Sequence, residues 1–329
     1  MKKKKGVLKR ILLIIAIAFL IWMVCDICVT LIFTQKIPHR YVQAEEGREF
    51  LLANTEYYGQ FTQNDIDFRL QKSDGTMDEL LNTSAEEIRD FNFIEKYLID
   101  RRIAKMVRTL KKEGYTLPQI GEIVYIKTDM TVEMGASGYT HGTQIYLNSS
   151  NIMFSVIPGA GEYFDKLLWH ELFHCLTRNN PEFRSKMYSL IHFTVTDAEF
   201  ELPPCVREKY LSNPDVEHHD SYATFMIDGQ EKDCFTAWIT TMNYSEAQST
   251  YGFDTTALIP IDGTDTYYTP QQTSNFYDVF GTNTGYVIDP EECMADNFAF
   301  AMLYGMDGRE GQGYPNPEII QGVIDIVSR

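Results

Sequence analysis

From Leu167 to Leu176 every residue is apolar except His170, Glu171 and His174. A stretch this apolar folds as a buried helix. On a helix, residues four apart lie about 40° from each other at roughly 3.6 residues per turn. The two imidazoles of this H-E-x-x-H pattern can therefore reach one cation at about 2.0–2.1 Å, with the Glu171 carboxylate beside it. Three ionisable groups are costly to bury without a partner, and a zinc ion (Zn2+) facing a substrate cleft is the partner the pattern predicts. The plainer alternative is a helix with two hydrogen-bonded histidines and one solvated glutamate. Pro158-Gly159-Ala160-Gly161 marks the expected start of the helix and Asn179-Asn180-Pro181 its end.

An open zinc site takes three protein ligands and leaves a fourth position for water. A second helix is expected to begin at Asp289-Pro290, a good N-cap followed by a proline suited to the first turn. Glu292 and Asp296, four apart, share a face of it. Glu292 is the candidate third ligand, with Glu291 as the fallback. Asp296 is the candidate outer carboxylate, holding the free ring nitrogen of a ligating histidine. A capping box between Asp289 and Glu292 is the competing explanation for Glu292 and leaves Asp296 unexplained.

H-E-x-x-H followed by E-x-x-x-D on another helix resembles the gluzincin metallopeptidases, the thermolysin-like zincins. The resemblance implies zinc ligation by His170, His174 and Glu292, with Glu171 as general base and Asp296 as the outer partner. It covers only these two helices. It departs from the family in the long interval between His174 and Glu292. The Gly and third His of metzincins do not follow His174; Cys175-Leu176-Thr177-Arg178 does. The G-x-M-E-N signature of related aminopeptidases has only a faint echo in Val132-Glu133-Met134-Gly135. Charged Glu162, Asp165, Lys166 and Arg178 flank the motif helix, unlike a site-2-type intramembrane protease.

The fold expected is α+β: a zincin-like metallopeptidase domain with a β-rich insertion, preceded by one N-terminal transmembrane helix. The apolar run of 23 residues from Ile11 to Phe33 is long enough to cross a bilayer, and the basic residues 1–10 would stay cytoplasmic. Asp26 interrupts this run near its outer end; a carboxylate at mid-bilayer costs roughly 2.5–3.5 kcal/mol and less off-centre. A cleaved signal peptide is the competing reading, but no small-x-small site follows at a normal distance. Beyond residue 10 the chain holds 23 Lys/Arg against 46 Asp/Glu. That balance argues against nucleic acid and anionic lipid as partners.

Residues 34–84 read as a juxtamembrane segment with some helix, and 85–329 as the catalytic domain. A long helix is expected from Ser84 to about Lys112, then strands at 122–127 and 142–147. The resemblance makes strand 142–147 the candidate edge strand for pairing with substrate backbone; an ordinary sheet strand is the alternative. Residues 182–285 read as the β-rich insertion, with strands near 222–227 and 235–238, and 316–327 as a terminal amphipathic helix. Four cysteines lie in the body. Cys175 and Cys293 each follow a candidate ligand and so could lie near each other, which would leave Cys205 with Cys234.

These features point to a single-pass membrane protein whose extracytoplasmic domain hydrolyses peptide or protein substrates with zinc-activated water. His141, His218 and His219 are candidate donors to the developing oxyanion, with Tyr222 and Tyr268 as further options. Two other readings stay open: a non-catalytic tethered binding module, or a zinc amidase acting on cell-wall crosslinks.

Overall fold

The computed structural model describes residues 2–157, 159–248 and 252–328. Pro158, one of the expected helix-start markers, lies outside them, and so does Met1 of the basic N-terminus.

The fold is mixed α+β. It opens with α1 (Lys2–Thr34), in which Ile11–Thr34 is long and apolar enough to cross a membrane. Asp26 is not left bare there. Its carboxylate accepts the Tyr97 hydroxyl and pairs with the Arg101 guanidinium at 3.1 Å, which offsets the cost expected from the sequence.

The segment expected to be juxtamembrane folds into the body. β1 (His39–Tyr41) precedes four short helices, α2 (Ala44–Ala53), α3 (Thr55–Gly59), α4 (Gln63–Leu70) and α5 (Met77–Glu86). Leu51, Tyr57, Tyr58, Ile66 and Leu80 from these helices pack with Val124, Ile126 and Tyr146 of the sheet. The boundary expected at residues 84 and 85 therefore divides one packed unit. No helix starts at Ser84 either. α5 ends at Glu86, β2 (Ile88–Arg89) intervenes, and α6 (Phe93–Glu113) begins behind Asn92. Asn92 caps the amides of Ile94 and Glu95, and the Glu95 carboxylate returns to the Asn92 amide in a capping box. Gly114, at φ 73°, closes the helix in the left-handed conformation.

β3 (Ile123–Thr128), β4 (Gly138–His141) and β5 (Gln144–Asn148) complete the first sheet, whose order is β1-β3-β5-β4 with β2 paired to β3. β1 and β5 run parallel to β3, and β4 runs antiparallel to β5. Strand 142–147 is thus internal. The edge strand on this side of the sheet is β4.

α7 (Ser149–Phe154) leads into α8 (Ala160–Asn179), the motif helix, and α9 (Pro181–Ser189) follows. The long interval is β-rich, as expected. β6 (Thr194–Val195), β7 (Ser221–Ile227), β8 (Gln230–Thr240) and β9 (Asp254–Pro260) form an antiparallel sheet in sequence order. Three short helices, α10 (Pro204–Arg207), α11 (Tyr244–Ala247) and α12 (Phe276–Phe280), punctuate it. The chain then returns as α13 (Pro290–Tyr304) against α8 and ends in α14 (Pro317–Val327). Trp169 and Phe173 of α8 interlock with Phe298 of α13 in the main core. Burying side chains of this size stabilises by roughly 1.5–3 kcal/mol each, and this pairing fixes the register of the two helices that carry the site. All six cysteines are free thiols, so neither expected pairing forms.

Candidate metal centre

α8 presents His170, Glu171 and His174 from one buried face, and α13 presents Glu291, Glu292 and Asp296 opposite. Each imidazole is gripped by a carboxylate at its inner nitrogen. His170 Nδ1 donates to Asp296 Oδ1 at 3.0 Å, and His174 Nδ1 donates to Glu291 Oε1 at 2.8 Å. These bonds fix the tautomers so that both Nε2 atoms turn toward Glu292. Glu292 Oε2 lies 3.0 Å from His170 Nε2 and 3.7 Å from His174 Nε2. The ligand atoms of His170, His174 and Glu292 all lie within 4.8 Å of one another.

Asp289 caps the amide of Glu291, and Glu292 turns inward to the histidines, so no capping box claims it. Glu291, the fallback ligand, faces a different atom: it holds His174 Nδ1 and accepts the hydroxyls of Thr177 and Tyr188. Neighbouring helix positions point about 100° apart, and so two adjacent acids serve different atoms.

The electrostatics are lopsided. Burial and the charges of Glu171 and Glu292 hold the Asp215 carboxyl well above the usual range. Burial also pushes Glu171 up, against the pull of the two imidazoles and of the Thr140 hydroxyl, which donates to Glu171 Oε2 at 2.8 Å. For His170, burial opposes charge but is outweighed by Asp296 and Glu292, so its pKa is held well above the ordinary value. His174 Nε2, fully buried, has no hydrogen-bond partner among the described residues. An orphaned imidazole nitrogen among several carboxylates is the environment a divalent cation satisfies: it supplies the missing partner and the missing positive charge. Glu171, His174 and Asp215 form a second such grouping around the same nitrogen.

A cleft of about 370 Å3 opens onto this cluster, lined among others by Ser137, Gly138, Lys166, Glu171, Tyr286 and Glu292. Gly138 belongs there because a Cβ on it would come within 2.8 Å of Glu171 Oε1. Along the same edge, Thr140 N–H donates to Asp215 Oδ1 at 2.7 Å and Thr140 C=O accepts from Arg178. Alternation along the strand turns Gly138 outward as well.

The candidate oxyanion donors lie elsewhere. His141 is buried among Tyr57, Tyr139 and Tyr146, and burial and the Arg178 charge push its pKa down to about 3. His218 pairs with Glu199, and half-buried His219 packs against Tyr210 and Phe235. None of the three lines the cleft, and Tyr222 and Tyr268 do not either. Tyr286 does line it, with Tyr163 and Lys166; its hydroxyl donates to Glu292 Oε1 at 2.8 Å while its ring stacks on His170. Asn213 donates to the same oxygen at 2.6 Å. Asn213, Asp215 and Tyr286 sit on aperiodic loops among 20 tyrosines and many acids, and no local pattern singles them out.

No family model, curated protein or solved structure matches this chain.

Proposed function

We propose that the chain is a membrane-anchored, zinc-dependent peptidase of zincin type, with its N-terminus cytoplasmic and its body extracytoplasmic. The observation that carries this reading is the unpartnered, buried His174 Nε2. Together with His170 Nε2 and Glu292 it faces one point, and both rings are fixed from behind by carboxylates. Two imidazoles and one carboxylate are the donor set of thermolysin-type catalytic zinc. Zinc held by His170, His174 and Glu292 would supply Lewis acidity and a water acidified toward neutrality.

The rest of the chemistry falls to the chain. Glu171, steadied by the Thr140 hydroxyl, accepts the proton of the attacking water and returns it to the departing amide nitrogen. The Tyr286 hydroxyl, at the cleft, would serve the developing oxyanion on releasing Glu292 Oε1. The outward edge of β4 at Gly138 offers backbone groups to an extended substrate strand. The lysine-rich flank of the apolar helix supports the orientation.

The test uses the full chain in detergent with a mixed peptide library, zinc content being measured in parallel. Glu171→Gln retains about one zinc per chain and loses hydrolysis by roughly 10²–10⁴-fold; His170→Ala loses both. Hydrolysis that survives a chelator, or full activity in Glu171→Gln, ends this reading.

A further inference from the structure

We infer that the body of the protein rests on the outer leaflet of the bilayer that α1 crosses, with the start of α6 and the α7–α8 loop dipping to the level of the headgroups. The inference builds on the reading of α1 as a membrane span.

The argument is one of length. In α1, Ile11–Cys25 is exposed on every side, and these residues cover about 22 Å at roughly 1.5 Å each. A hydrocarbon core is about 30 Å thick. The shortfall is made up by the next two turns, which are no longer free. Asp26, Thr30 and Thr34 turn onto α6, while Leu31 and Ile32 on the open side remain 56% and 63% exposed. Lipid that covers Leu31 and Ile32 reaches the level at which α6 crosses α1.

What the body shows near that level is apolar. Phe93, at the amino end of α6, is 80% exposed, and Ile94 lies exposed beside it. The end of α7 exposes Met153 and Phe154, and the residues after it, where the Ser155 carbonyl accepts from Arg102 of α6, expose Val156 and Ile157. Large exposed apolar groups gathered on one face mark an interaction surface. Arg101 reaches over the Trp22 ring at 6.0 Å from its centroid, so α6 already lies against the lipid-facing run of α1. The body carries twice as many acidic as basic residues beyond position 10, so the contact is made by apolar side chains and not by attraction to anionic lipid.

The test places single added tryptophans in the full chain, reconstituted into phosphatidylcholine vesicles: F93W, F154W, I17W within the span, and Y277W on α12. Emission is read against lipids brominated near the headgroup or near the chain end, and against aqueous iodide. F93W and F154W should lose at least about half of their added emission to headgroup-end bromines and resist iodide; Y277W should do the reverse. If F93W and F154W behave like Y277W, or are shielded from both quenchers as a protein partner or second copy would shield them, the docking is overturned while I17W quenching upholds the anchor. If chain-end bromines also fail to quench I17W, the anchor falls and the docking falls with it.

Discussion

Two of the buried ionic clusters among the described residues are built to opposite plans. In the first, Arg69 is fully buried between Asp65, at 2.9 Å, and Glu133, and Asp65 also takes the Ser212 amide at 3.0 Å. The phenyl ring of Phe61 lies against the guanidinium and the Tyr57 hydroxyl donates to Glu133. Every charge has its partner within the chain. In the second cluster, around His170 and His174, acids outnumber bases and one imidazole nitrogen has none. The first ties α4 to the loop that carries Asn213 and Asp215; the second uses those two residues at the site. A closed cluster fixes position, whereas an open one reserves a place for an ion that the chain does not itself encode.

If the first cluster is self-sufficient, breaking it should cost stability whether or not metal is present. Arg69→Met strands two buried carboxylates and should destabilise by about 3–5 kcal/mol, measured as unfolding in detergent with and without chelator. A cost that appears only with metal would erase the distinction.

His141 sharpens the contrast from between the clusters, where Arg178, Glu217 and the three tyrosines face it. Its folded pKa of about 3 lies below the value of about 6.5 in an unfolded chain. The unfolded state therefore binds more protons between these values, and stability falls as pH drops through that window. From neutrality to about pH 4.5 the loss should be about 2–3 kcal/mol. His141→Phe should remove that part of the pH dependence; an unchanged slope would show that the ring is not the group responsible.

The smallest effect belongs to the buttress. Glu291→Gln should weaken zinc binding by about 10–100-fold while leaving the zinc content at saturation intact, read by competition with a graded chelator. A complete loss of metal would promote Glu291 to ligand.

The second cluster was largely legible from spacing, because helices repeat. His170, Glu171 and His174, and separately Glu292 and Asp296, each declared a shared face. Which of Glu291 and Glu292 faces the histidines depends on the rotation of α13, which Trp169, Phe173 and Phe298 set through packing. Of the first cluster only the Asp65–Arg69 pair, four apart on α4, is local; Glu133 and Ser212 join it only after the chain has closed on itself. The same reason hid the integration of residues 39–86: four short helices carry too few turns for a strong periodicity. For β4, alternation identifies strands but says nothing of their order.

Gly138 ties the proposed base to the architecture at a single point. Any side chain there, even a methyl group, would come within 2.8 Å of the Glu171 carboxylate. The outermost strand of the sheet and the base therefore share one clearance, and a substitution that straightens or loosens this strand would shift the acid together with the groove it serves. Evolution or engineering could vary the groove more freely farther along it, toward Ala136 and Ser137, than at the residue where backbone and reagent touch.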